Sequence, residues 1–142
     1  MLNSNMPELV ERSIQKIAVK GVNVSPNARV ELLRLTTSSR EKFIILSVDV
    51  KKSDGTVAAD IDIEIKRIIG STEQLVNPAI KGDFMPVRFG DIILGIRGDV
   101  PERFKEGLVI PEIASLVVSA YNPTAAAVSL NCVIEYIKEL YV

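Results

Sequence analysis

Histidine and tryptophan are both absent from this chain, and cysteine occurs once. Each gap removes a class of chemistry. Without imidazole there is no Ser-His-Asp or Cys-His catalytic set, no general base of the commonest kind and no usual zinc site. One cysteine can form neither an internal disulfide nor a thiolate cluster, which excludes a disulfide-built secreted scaffold. Aromatic residues are only 5% of the chain. Phe43, Phe84, Phe89, Phe104 and the three tyrosines do not alternate with basic residues, so a stacking platform for single strands or a sugar-binding aromatic face is poorly supported. Charge of one sign is also lacking: 17 Lys+Arg against 18 Asp+Glu leave −1. That balance argues against nucleic-acid binding through a general basic field, and its weak colloidal repulsion suits a protein that associates. No apolar run approaches the roughly 18 residues of a membrane-spanning helix. The opening MLNSNMPELVERS has neither the basic nor the apolar region of a secretory signal, so cytoplasmic synthesis is expected.

Apolar residues are what the chain has in plenty, at 47%. The size prior gives one domain, 1–142, that buries roughly 68–70% of its unfolded surface without staples. The stretch 108–141 organises the reading. Leu116, Val118 and Ala120 share one face, with Ser115, Ser119 and Tyr121 opposite. Further on, Val128, Leu130, Cys132 and Ile134 share a face, with Ser129, Asn131 and Glu135 opposite. Period two marks half-buried strands, and Asn122-Pro123-Thr124 between them reads as a connection, since proline cannot donate to a ladder. Two long antiparallel strands of one core sheet are expected, with Cys132 an inert buried thiol.

Upstream, Pro7 with Leu9, Val10, Ile14, Ile17 and Ala18 makes a helical stripe that Gly21 could stop, so a helix over about 7–19 is expected. It would cover one open side of the sheet, or else act as an arm on a neighbouring subunit. The N-glycosylation sequon at Asn23 is followed by Pro26 and is read as unused. A strand is expected over about 28–36. Phe43 to Lys52 then alternates, with Ile44, Leu46, Val48 and Val50 on one face. Ser53-Asp54-Gly55 is a tight-turn sequence, and Asp60, Asp62, Glu64 and Lys66 alternate with Ile61, Ile63 and Ile65. This predicts a hairpin with a wet outer face. Residues 68–80 read as a loop, and 85–98 as one or two short buried strands. The total is about seven or eight strands and one N-terminal helix: a mainly β, antiparallel sandwich over 28–142 behind a tail and helix over 1–21. Jelly-roll-like and immunoglobulin-like sandwiches both fit, and the jelly roll is preferred.

Three patterns could carry chemistry. Alternating Asp60, Asp62 and Glu64 could offer oxygen ligands to Ca²⁺, or a carboxylate pair for glycoside hydrolysis. Lys66 continues their row and Lys51 and Lys52 lie on the opposing arm, so cross-strand pairing on a solvated face explains the same pattern and is preferred. Gly90, Gly95 and Gly98 match neither the Walker nor the dinucleotide spacing, so no cofactor is expected. Arg97-Gly98-Asp99 is an adhesion tripeptide that recurs by chance. No catalytic residue is assigned.

Several segments are apolar on both faces: Ile44-Ile45-Leu46, Ile68-Ile69, Ile92-Ile93-Leu94 and Leu116-Val117-Val118. A two-layer sandwich buries one face of each sheet. Either loops cover the remainder or other subunits do. Ala58-Ala59 and Ala125-Ala126-Ala127 would permit close approach, so a homo-oligomer is expected. The closing segments Ile110-Pro111-Glu112-Ile113, Ser115 to Thr124 and Ala127 to Tyr136, with Ala120-Tyr121-Asn122-Pro123-Thr124 as the turn, resemble the last strands of β-sandwich virion proteins. That resemblance implies a capsid, decoration or spike role, located in the virion, with itself and other structural subunits as partners. It transfers no functional residue. The alternative is a ligand-binding sandwich module that recognises carbohydrate or a protein partner.

Overall fold

A computed structural model describes residues 8–76, 80–89 and 107–142. Among these residues ten strands run in chain order: β1 Leu9–Val24, β2 Arg29–Thr36, β3 Glu41–Lys52, β4 Asp62–Ile69, β5 Thr72–Leu75, β6 Ile80–Lys81, β7 Val87–Arg88, β8 Leu108–Ile110, β9 Ala114–Tyr121 and β10 Val128–Tyr141. They form two five-stranded antiparallel sheets. The first is ordered β1-β10-β3-β7, with β8 also on β3; the second is ordered β2-β9-β4-β5, with β6 also on β4. The sheets pack face to face as a sandwich. Its core contains Leu130, Cys132 and Ile134 of β10, Val48 and Val50 of β3, Ile63 and Ile65 of β4, and Leu116 and Val118 of β9. The alternation read from the sequence therefore assigns the faces of these residues correctly.

The partners of the strands differ from expectation. β3 and β4 lie in different sheets, so 43–66 is not a hairpin. Ser53-Asp54-Gly55 does turn, with Gly55 N donating to Lys52 O at 2.8 Å and Asp54 Oδ1 accepting from Thr56 N at 3.0 Å. The chain then crosses the sandwich. Here Gly82 packs directly on Ala58, where a side chain would meet Ala58 O at 2.1 Å. Ala58 is thus consumed within the chain rather than offered to a neighbour. β9 and β10 also belong to opposite sheets, so the Asn-Pro-Thr connection is a second crossing.

One buried polar side chain ties each end of the sandwich. Asn122, fully buried, donates from Nδ2 to Val24 O (3.0 Å) and Ala126 O (2.8 Å), and its Oδ1 accepts from Thr124 N (2.9 Å) and Thr124 Oγ1 (2.6 Å). It joins the β9–β10 crossing to the β1–β2 crossing, where Asn27 N donates to Asn122 O at 2.7 Å. At the other end, buried Thr37 donates from Oγ1 to Pro111 O (2.6 Å) and accepts from Ala114 N (3.0 Å), joining the β2–β3 crossing to the β8–β9 crossing. Crossing loops carry backbone groups that no ladder satisfies, and these two side chains satisfy them.

The expected helix over 7–19 is a strand. β1 pairs with β10 along its length, and register shifts occur between Leu9 and Glu11 and between Val19 and Val22. The second shift is a bulge at Gly21, whose φ is +68° and whose N–H donates to Asn131 Oδ1 at 2.9 Å. Ile17 and Val19, then Val22 and Val24, lie opposite Ile134, Cys132, Leu130 and Val128. The inserted residue breaks their period of two. The stripe read as a helix instead mixes the two faces of the strand, with Ile14 and Ala18 opposite Ile137 and Val133 on one and Ile17 opposite Ile134 on the other. A similar bulge, between Tyr136 and Glu135 opposite Ile45 and Ser47, displaces Leu46. It turns Ile44 outward and Ile45 and Phe43 inward, so Ile44 does not share the face of Val48 and Val50 as expected. Thr72–Leu75 is a strand where a loop was expected. The segment Asp91–Ile96, with the glycine and Arg-Gly-Asp patterns around it, lies outside the described residues.

Candidate self-association surface

The outer face of the second sheet is closed by its own charges. Asp62, Glu64 and Lys66 project outward from β4, while Asp60 lies in the turn before it. Asp62 pairs with Lys81 at 2.6 Å, and Glu64 with Arg29 at 3.6 Å and Lys66 at 3.3 Å. Lys66 also reaches Glu73 at 3.1 Å. The partners of these carboxylates are therefore Lys81, Arg29 and Lys66, not Lys51 and Lys52, which lie on the other sheet. Among the described residues no three carboxyl or thiol groups come together as a metal-holding cluster. Val117 also points outward yet is only 4% exposed, flanked in register by Arg34 and Lys66. Long charged side chains cover apolar neighbours with their stems, and this accounts for one of the segments that looked apolar on both faces.

The first sheet is different. Its outer face carries a cross-strand apolar row: Ile14 on β1, Ile137 on β10, Ile44 on β3 and Val109 on β8. Exposure is 39% at Val109 and 73% at Ile14, so the row is most open at the β1 edge. Leu9 and Val10 of β1 are also exposed, at 49% and 63%. Among the described residues, nothing pairs with the far edge of β1. Between its two bulges, Glu11 to Val19 run in unbroken register, a straight segment of about 30 Å at ~3.4 Å per residue. Every second residue there presents a free N–H and C=O, which is a template for another strand.

Beside the apolar row stands a charged one. Glu139, 5% exposed, sits between Arg12 (3.3 Å) and Lys42 (3.3 Å) and accepts from the Tyr141 hydroxyl at 2.7 Å. Burial pushes the Glu139 carboxyl up, but the Tyr141 hydroxyl and the Lys42 and Arg12 cations outweigh it and hold the group below its ordinary value. Lys42 is raised, by its contact with Tyr141 first, against burial, and then by Glu139. On the other flank is a shallow depression of about 220 Å³ lined by Lys16, Ser47, Asp49, Pro86, Arg88, Val133 and Glu135. Asp49 Oδ1 accepts no hydrogen bond there; it stands 3.4 Å from Lys51 Nζ without the alignment for one. Cys132, beneath this face, is buried, and burial first, then the Asp49 charge, push its thiol up to about 12.

No protein-family model matches the chain, and no curated protein matches it either. The site therefore stands on its geometry. Sequence reading located the apolar surplus at Ile44, but missed Ile14 and the β1 edge because it had placed them in a helix. The β-branched content of 14–24 was the available signal. Glu139 was missed as well, since its two cations come from other strands. Of the described residues, no helix is long and apolar enough to cross a membrane.

Proposed function

We propose that this protein is a non-enzymatic structural subunit that self-assembles through the exposed apolar border of its first sheet, in a virion as a capsid, decoration or spike component. The observation that carries the reading is the open β1 border: a long strand with no partner along its far edge among the described residues, where Leu9, Val10 and Ile14 are exposed, while the second sheet sets salt links across its outer face. Exposed apolar patches next to an unpaired edge are interaction surfaces or aggregation liabilities, and an assembling subunit turns the liability into its contact.

Strand order supports the finer reading of a jelly roll. The first and last strands are neighbours, and with β5/β6 and β7/β8 each counted as one broken strand, the two sheets carry eight strands in the interleaved order of paired Greek keys. Such sandwiches serve in viral coats and in lectins alike, so shape alone does not choose a role. The β1 border and the resemblance over 110–136 favour the coat. Native mass spectrometry of the purified chain at low micromolar concentration tests the proposal. A closed oligomer or larger assembly is expected; a monomer would overturn it and transfer the assignment to a ligand-binding module.

A further inference from the structure

We infer that two copies of the chain join edge to edge through β1, antiparallel about a two-fold axis at Ile14, merging their first sheets into one continuous sheet. The inference rests on the self-assembly proposed above and names its contact, partner and register.

The partner follows from the chemistry of the edge. Free backbone N–H and C=O groups along a straight strand are satisfied by another strand. The bulges at either end of Glu11–Val19 turn the flanking residues out of line and confine pairing to this segment. A two-fold contact uses the same patch on both copies and closes, leaving no β1 edge to propagate.

The register follows from the side chains. A two-fold axis perpendicular to the sheet keeps each residue on its own face, so opposed residues must have numbers of equal parity. Centring on Arg12 or Lys16 sets identical cations against each other on the axis. Centring on Ser13 or Gln15 sets Ile14 against Arg12 or Lys16. Centring on Ile14 opposes Ile14 with Ile14, Ser13 with Gln15 and Glu11 with Ile17. Its like-charged contact is Arg12 with Lys16, which the axis repeats on either side, and each cation keeps an acid behind it: Glu139 at 3.3 Å from Arg12, and Glu135 opposite Lys16 in the ladder. In this register the row Val109–Ile44–Ile137–Ile14 continues across the axis into its own copy. The 73% exposed Ile14 side chain, where the row ends in one molecule, becomes its centre.

Ile14→Cys and Ile14→Lys test this in the full-length chain. The sole native thiol, Cys132, is buried, so a new cysteine at 14 reports alone. Under mild oxidation Ile14→Cys is expected to give a covalent dimer, with much less cross-linking from cysteine placed at 13 or 15. Ile14→Lys puts two ammonium groups on the axis and is expected to weaken dimerisation at least about tenfold, with an unchanged circular dichroism spectrum showing that the fold survives. If the wild-type chain assembles but Ile14→Lys assembles equally well and Ile14→Cys does not cross-link, the edge contact is wrong while self-assembly stands. A wild-type monomer removes both.

Discussion

Replacing Asn122 with alanine should unlock one end of the sandwich. The side chain makes four hydrogen bonds, and their partners differ in burial. Val24 belongs to the fully buried core, so its carbonyl is stranded when Nδ2 is removed. An orphaned buried acceptor costs about 1–3 kcal/mol. Ala126 O and the two Thr124 groups lie nearer the surface. They recover water in part, at about 0.5 kcal/mol each. The total is about 2.5–4.5 kcal/mol, which at this chain length lowers Tm by about 8–18 °C.

Urea unfolding followed by circular dichroism measures the effect, with protein concentration held fixed because association adds to apparent stability. Thr124→Ala, which removes one hydroxyl, should cost about 1 kcal/mol. Asn122→Asp separates the donor and acceptor roles. It keeps an oxygen for Thr124 but aims a carboxylate at two carbonyls, so its folded pKa rises. An acid raised on folding destabilises fully above its folded value, so this variant should recover stability as pH falls through that raised value, completely by about pH 4. A loss under 1 kcal/mol for Asn122→Ala, or a pH-independent aspartate variant, would refute the idea that this residue locks the two crossings.

Glu139 is expected to shape the acid limb of stability. Its carboxyl is lowered in the fold, so its contribution is full above the unfolded value and is lost as pH falls through the folded one. Glu139→Gln should therefore be less stable at neutral pH and show a shallower loss between about pH 5 and 3 on denaturant titration. Gly82→Ala would place a methyl 2.1 Å from Ala58 O; a loss of about 2 kcal/mol or more is expected in the same unfolding assay, because backbone on both sides must move.

Face patterns were legible because burial imposes them residue by residue. Ile61, Ile63 and Ile65, and likewise Leu116, Val118 and Ala120, are buried as their alternation required. Pairing was not legible, because alternation says which way a side chain points and nothing about the neighbouring strand. Loop length was the clue passed over. Residues 53–61 separate β3 from β4 and 122–127 separate β9 from β10, both longer than the two-residue connection of a tight hairpin. At Leu46 one additional residue shifts the phase and moves Ile44 to the other face. The apparent helix over 7–19 arose because Ile14 and Ile17, which lie on opposite faces of β1, fall at helical spacing. The carboxylate row was legible in its solvation but not in its partners, since Arg29 and Lys81 come from segments far away in sequence.

The same construction that locks the core also creates the open border. β1 to β4 alternate between sheets, and β9 and β10 do so again, so β1 and β2 each pair with a strand distant in sequence and stand at an edge that no hairpin neighbour covers. On the second sheet, β2 is that edge. It is eight residues long, interrupted by a bulge between Glu31 and Leu33, and carries the Glu31–Arg34 ion pair at 2.8 Å. These features blunt an edge against pairing. β1 is twice as long, and its bulges stand at the ends of the straight segment rather than within it. Its outward residue at the centre of the edge is isoleucine. Of these two borders one is thus protected and the other left available, so among the described residues β1 rather than β2 offers the edge for a strand-to-strand contact.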